Sequence, residues 1–532
     1  MNLAELALSR ARVAGNAIAV QMGSKRLTYA EFVRESDRVA SGLRELGIRR
    51  GDRVMMFSEN SIEFLVAYLA TARLGAIFTP IHASFQVSEL EYVLANATPS
   101  AIIAQAALWK RLERCGEEHL PSARVVIGPA RGDLLSFQEI GRTSAPVGVE
   151  PVDDQTPVLI CYTSGTTDRP QPVTRSHANE IWNARTYARV WDYRAGDRAL
   201  VTLPLSWVWG LSTLAQALLC SGGTVILHKE FEASAALAEI ESSRVSLFAG
   251  TMSMYTAILS ELGRHNYDLS SLRRLYRGGE PINNEVVKAL QARIGVPLSD
   301  GYATTEAAPI IAVDPVHDLD APVGAAGRLV PGAKVRIVDE RSNDVPVGEV
   351  GEAWLSGPGI MLGYWNEPEI TAERLTPDGW FRSGDLLVEG DNGYYFVVGR
   401  SADIIIRNGA KVAPAEVEAA LNSLPGIRDS VAVGVPDEDF GESIVACVLL
   451  DPGCIMSADD VYDLLSDRIA RFKLPSLIQF VSELPVWRNE KRDRAWIRRR
   501  ALADLELDST PAPDTVRRRP AADHRPHLRL VE

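Results

Sequence analysis

The chain reads as an α/β protein: a large N-terminal domain of βαβ-type sheets, a small β-subdomain within it, then a small α+β C-terminal domain. Three observations predict this. Over roughly the first 300 residues, strand-like apolar runs alternate with amphipathic helical runs, the signature of a parallel sheet. From about Val323 the pattern changes to short strands and turns rich in Gly and Val. After Gly399-Arg400 a segment of about 100 residues carries its own strand and helix pattern, enough for a separate domain. The expected division is 1–399 for the N-terminal domain (β-subdomain about 323–399), 400–505 for the C-terminal domain and 506–532 for a disordered tail.

Thr28-Tyr29-Ala30-Glu31 is a capping box and opens a helix that stops at Gly47. A strand at Arg53 to Phe57 follows, then a helix signal after Asn60-Ser61 and a strand at Ala76 to Pro80. A Ser88 to Leu94 helix leads to strands at Ala101 to Ile103 and Arg124 to Gly128. Past residue 190, strands are expected at Asp197 to Leu203, Gly223 to Leu227 and Val245 to Phe248. Helices are expected at Ser212 to Leu219, Ala235 to Ser242 and Met252 to Leu262. Leu272 to Tyr276 runs into Gly278-Gly279-Glu280, and Pro297 to Gly301 runs into the turn GYATTE. Turns at strand ends are where open α/β sheets place ligands. The tail from Asp508 is rich in Pro and Arg with little periodicity.

The bulk numbers narrow the function. The 532 residues are 46% hydrophobic and 23% charged, ordinary globular values. A net charge of −13 argues against a nucleic-acid surface. Five cysteines without CxxC spacing suit a reducing cytosol. The eight histidines show no HExxH or similar spacing for zinc. The longest apolar stretch, Leu65 to Ile81, is interrupted by Arg73 and too short to span a membrane comfortably. A cytoplasmic protein without membrane or nucleic-acid partners is expected.

At Ile160 to His177 an apolar strand breaks into Thr163, Ser164, Gly165, Thr166 and Thr167. The N–H and O–H donors of such a run can converge on an anion. Alone it is more often a surface turn, and it is no P-loop, because no Lys follows a Gly at the required spacing. Four pieces keep it company downstream: GYATTE at 301–306, GWFRSGD at 379–385, GRSADIIIRNGAKVAPAEVE at 399–418 and LPVWRNEKRDR at 484–494. Together, in this order and spacing, the five resemble the adenylate-forming superfamily of acyl- and aryl-CoA synthetases, peptide-synthetase adenylation domains and luciferases. The resemblance covers roughly residues 5–505.

It implies two half-reactions. ATP and a small carboxylic acid give an acyl-adenylate and pyrophosphate; a thiol, expected to be coenzyme A, then takes the acyl group and releases AMP. Thr163 to Thr167 would supply neutral donors to the β- and γ-phosphates. Thr305 would hold the α-phosphate and Glu306 would coordinate Mg2+. Tyr302 offers an aromatic face for adenine, with Asp300, Gly301, Gly279 and Glu280 along its edge; a core tyrosine is the other reading. Asp385 would accept from the ribose hydroxyls, and Arg400 would reach ribose and phosphate. Lys491, aligned with the lysine of the family's C-terminal motif, would offset charge building up in the adenylation transition state. In the family the C-terminal domain swings between half-reactions, which would withdraw Lys491 and bring Arg407, Asn408, Gly409 and Lys411 towards the acceptor thiol.

The departures from the family pattern are local. Where the phosphate loop usually reads TSGTTG-x-PKG, this chain has Asp168 for a glycine, Gln171 for the lysine and Pro172 for a second glycine. A lost cation–phosphate contact costs on the order of 1–3 kcal/mol; either ATP binds weakly or Arg169 or Arg175 compensates. Glu490 stands where a glycine precedes the lysine, and Ala402 takes the hinge position. In PLSWVWGLS, Trp207 occupies the usual His position, and Trp209 follows; with Gly278 they would bound the acyl pocket. Two indoles suggest a short or small acid, with core packing as the other reading. Three functions fit: a CoA ligase, an enzyme loading a carrier protein or an amine, and an impaired relative that only binds nucleotide or acyl ligand.

Overall fold

The computed structural model describes residues 1–129, 132–163, 169–279, 283–407, 410–437, 441–484, 494 and 496–501. Two large sheets and the helices between them share one core. In the eight-stranded sheet, Ile77–Ile81, Arg53–Phe57, Ala101–Gln105 and Ala123–Ile127 lie parallel. Beside them Pro157–Thr163 and Gln171–Ser176 form an antiparallel hairpin, and the two-residue strand Gly363–Tyr364 closes that edge. The seven-stranded sheet places Leu298–Ser299, Arg274–Arg277, Leu247–Gly250, Arg198–Val201 and Thr224–Leu227 in parallel.

The helix Ile62–Arg73 explains the longest apolar stretch. Ser61 caps it, accepting from the Phe64 amide at 3.2 Å, and nearly all of its side chains are buried. A helix apolar all round belongs inside. Its buried charge, Arg73, is paired with Asp37 at 2.5 Å and donates to the Val147 carbonyl at 2.9 Å, so that charge is met. Asn60, just before the cap, ties the sheets together through Leu203 O and His228 O, both at 3.0 Å. Among the described residues no helix is long and apolar enough to cross a membrane.

Elsewhere the expected elements stand with small shifts. Tyr29–Glu45 is capped by the Thr28/Glu31 box, and Met252–Leu262 is a helix capped by Thr251. One expectation needs correction. Instead of an α-helix over Ser212 to Leu219, a π-helix, Trp209–Gln216, runs into a short α-helix, Ala217–Ser221. The early start rests on Gly210, where an added Cβ would lie 2.3 Å from the Pro204 carbonyl oxygen.

In the later chain, Lys334–Val338, Val350–Ser356, Phe381–Glu389 and Tyr395–Arg400 make a four-stranded antiparallel sheet. From Ile405 a five-stranded sheet has its own apolar layers. Val417, Leu421, Val461 and Leu465 cover one face; Leu484, Ile497 and Ala501 cover the other. Residues 506–532 lie outside the described residues.

Candidate active site

Two strand ends set the site. Arg274–Arg277 and Leu298–Ser299 are parallel neighbours, so the 278–279 and 300–302 turns emerge side by side at the carboxyl edge of the sheet. Their approach is close: a Cβ on Gly278 would meet the Gly301 carbonyl oxygen at 3.3 Å and the Trp209 ring at 3.7 Å. Gly279 has φ of 78°, which a side chain would strain. Asp300 is buried and ion-paired with Arg277, a partner the sequence reading did not name. Burial raises the Asp300 pKa, against the pull of Arg277 and of the Gly301 N–H, which donates to Oδ1 at 2.7 Å.

Motifs far apart in the sequence meet at Asp385. Tyr302 Oη donates to Asp385 Oδ2 at 2.6 Å. Asp385 and Arg400 stand opposite each other across antiparallel strands, and Arg400 Nε approaches Asp385 Oδ1 at 3.3 Å. Burial and the Asp385 carboxylate push the Tyr302 phenol well above its usual range, which keeps it a donor. Asp385 is nearly buried while Arg400 is half-exposed, so the pair runs from the interior to the surface.

Glu306 meets a residue that sequence reasoning missed. Tyr364 Oη donates to Glu306 Oε1 at 3.1 Å. Gly363–Tyr364 pairs with Thr174 and Val173, which fixes Glu306 beside the base of the hairpin formed by Pro157–Thr163 and Gln171–Ser176. The other Glu306 oxygen has no partner among the described residues. A single carboxylate of this kind fits Mg2+, which keeps several waters and shares substrate phosphates.

Arg175 overturns one expectation. It is not a spare cation for phosphate: its side chain is fully buried and paired with Glu180 at 2.5 Å. Its Nη1 donates to Thr305 O at 3.0 Å and to Gly359 O at 3.1 Å, so Arg175 pins the turn that carries Thr305 and Glu306. Tyr68 Oη donates to the second Glu180 oxygen at 3.3 Å. Arg169 lies 5.9 Å from the centroid of the Tyr92 ring. The hairpin closes with Thr163 opposite Gln171 and Tyr162 opposite Pro172. Pro172 is tolerated in this strand because its carbonyl, which accepts from Trp365 N at 2.8 Å, is the group used there. Ser164, Gly165, Thr166, Thr167, Asp168 and Glu280 lie outside the described residues.

Trp207 stacks on His82, with ring centroids 5.1 Å apart and planes at 14°. The His82 Nδ1 is in turn 2.6 Å from Ser84 Oγ. His82 had no signal in the sequence, since its partner lies more than a hundred residues away. On the C-terminal side, Arg407 donates to Leu474 O at 2.8 Å and Ser476 Oγ at 3.1 Å, and Lys411 is ion-paired with Glu340 of the β-subdomain. Asn408, Gly409, Glu490 and Lys491 lie outside the described residues. Just past that last stretch, Arg494 pairs with the buried Glu418 at 2.6 Å; burial disfavours the guanidinium charge, but Glu418 outweighs it and the pKa rises.

A family model described as AMP-binding enzyme matches residues 8–365, and one described as AMP-binding enzyme C-terminal domain matches residues 416–491. A feruloyl-CoA synthase from Amycolatopsis sp is 36% identical over 500 residues, covering 92% of this chain and 97% of that protein. An indoleacetate–CoA ligase from Aromatoleum aromaticum is 34% identical over 469 residues, covering 88% and 92%. An anthranilate CoA ligase crystallised with anthranoyl-AMP superposes with a TM-score of 0.89 at 26% identity, covering 95% of this chain and 98% of that one. The large α/β sheets and the separate C-terminal sheet thus belong to a known framework, and the chain is a member of the AMP-binding, adenylate-forming enzyme family.

Proposed function

We propose that this chain is a cytoplasmic, ATP-dependent, AMP-forming ligase that joins a small aromatic carboxylic acid to coenzyme A. The observation that carries the choice of acid is the indole wall: Trp207 stacked on His82, and Trp209 packed against Gly278 at the edge of the nucleotide turns. Flat aromatic faces favour a flat substrate by offset stacking. The relatives that act on feruloyl, indoleacetyl and anthraniloyl groups support the same class. The five free thiols support a reducing compartment.

In the first half-reaction a substrate carboxylate oxygen attacks the α-phosphorus of ATP. The bond to the β-phosphate oxygen breaks, and pyrophosphate leaves. Tyr302 stacks on adenine, Asp385 accepts from the ribose, Thr305 donates to the α-phosphate, and Lys491 meets the charge developing between carboxylate and phosphate. Mg2+ held by Glu306 would screen the charge of the phosphates. In the second half-reaction the coenzyme A sulfur attacks the acyl carbon, the mixed-anhydride C–O bond breaks, and AMP leaves with the electron pair. Arg407 and Lys411 belong to the acceptor side, reached when the C-terminal domain turns.

The test is release of AMP and pyrophosphate with cinnamic-type, indole, benzoic and medium-chain acids, each with coenzyme A, a carrier protein or an amine as acceptor. Aryl acids with coenzyme A should turn over, and Lys491→Ala should abolish pyrophosphate release. Turnover confined to medium-chain acids would overturn the aromatic assignment; product only with an amine or carrier protein would overturn the acceptor. Silence across the panel, with no ATP binding, would favour a relative that has lost its chemistry.

A further inference from the structure

A cleft of about 370 Å³ opens between the helices Ala4–Ala14, His177–Val190 and Ala217–Ser221. None of the residues assigned to the nucleotide, acyl or acceptor sites lines it. Arg10, Arg185 and Arg189 do, with Tyr193 and Cys220.

Arg185 and Arg189 are four residues apart on one helix, so both project from one face, where like charges repel. Both are exposed. Arg10 comes from a different helix; its Nε donates to the Cys220 carbonyl at 2.6 Å and caps the end of Ala217–Ser221. The terminal nitrogens of Arg10 have no partner among the described residues, and Arg185 reaches only the Met1 sulfur, at 3.5 Å. Among the described residues no carboxylate pairs with any of the three. A chain of net charge −13 has carboxylates to spare, yet three guanidiniums share this cleft without one. Tyr193, 8% exposed, lines the cleft beside them.

We propose that this cleft is a second anion site, separate from the ATP site, that takes a small molecule bearing phosphate or diphosphate. Guanidinium forks match phosphate oxygens bidentately. The volume falls at the lower end of the range for small-molecule sites, which suits a diphosphate or a nucleotide fragment rather than a macromolecule. The helix dipole at the carboxyl end of His177–Val190 favours the arginines but does not neutralise them.

Calorimetric titration of the full chain at constant ionic strength tests this, comparing wild type with an Arg185→Gln/Arg189→Gln variant. The probes are inorganic pyrophosphate and adenosine 3′,5′-bisphosphate. Binding at the ATP site is common to both proteins, so the difference between isotherms reports the cleft. Wild type should show a binding component that the variant loses or weakens by at least about tenfold. A difference with pyrophosphate alone identifies free diphosphate as the ligand chemistry; a difference with the bisphosphate alone identifies a phosphorylated nucleotide. Superimposable isotherms with both probes overturn the proposal. Should the Gln pair unfold, Arg185→Lys/Arg189→Lys keeps the charge without the fork: weaker binding supports the site, and unchanged binding overturns the guanidinium assignment.

Discussion

Tyr302 and Asp385, 83 residues apart, are joined by a buried hydrogen bond of 2.6 Å, and Arg400 holds the other carboxylate oxygen at 3.3 Å. The tyrosine of one motif is therefore oriented by the aspartate of the next. Tyr302→Phe keeps the ring and loses the donor, at about 1 kcal/mol. Its KM for ATP should rise about fivefold with kcat nearly kept. Asp385→Ala should cost far more, because it also removes the proposed ribose acceptor. Initial rates against ATP concentration decide; an unchanged KM in Asp385→Ala would remove Asp385 from the nucleotide site.

Arg175 and Glu180 form a fully buried pair. Arg175→Met leaves the Glu180 carboxylate buried and alone, which should cost about 3–5 kcal/mol. Urea unfolding would measure it. The double variant Arg175→Met/Glu180→Gln should recover part of the loss, since neither charge then remains.

His177 is fully buried, and its Nδ1 accepts from the Leu3 amide at 3.1 Å. Burial, helped by nearby positive charge, lowers its pKa to about 4. The unfolded chain therefore takes up a proton near its ordinary pKa of about 6.5, while the folded chain does not. Stability is complete above that value and falls as pH drops from there towards 4, by about 3 kcal/mol in total. Thermal melts at pH 7 and pH 5 should show a drop that shrinks in His177→Asn.

Gln171 sits opposite Thr163 at the end of the hairpin, next to the proposed phosphate loop. Gln171→Lys restores a cation at this end and should lower the KM for ATP by about tenfold. If the KM does not move, the loop binds triphosphate without a lysine there.

Trp209 lies against Gly278 and, with Trp207, bounds the proposed acyl pocket. Trp209→Ala should raise kcat/KM for longer acids relative to benzoic acids, by about tenfold for a few added methylenes. Equal losses across all acids would make Trp209 a packing residue.

Local chemistry made much of this readable in advance. The Thr28/Glu31 box, the Ser61 cap and the apolar run of Met252–Leu262 each carry their own signal within a few residues. Strand Gln171–Ser176 does not, because Pro172, Thr174 and Arg175 speak against a buried strand until the partners at Tyr162 and Tyr364 are known. Gly363–Tyr364 is too short for periodicity to register. The pairs Arg277–Asp300, Tyr364–Glu306 and His82–Trp207 join residues distant in sequence, and nothing near either partner announces the other. The motifs are local and so legible, while the contacts that brace their residues come from tertiary packing.

The helix Ile62–Arg73 has a consequence for dissecting this protein. Because it lies buried in the core common to both large sheets, neither sheet keeps a sealed interior when the other is removed. Fragments that split the N-terminal domain between the sheets would expose this helix to water and aggregate. A split-enzyme reporter from this chain should therefore be cut between the large sheets and the C-terminal sheet, which has apolar layers of its own.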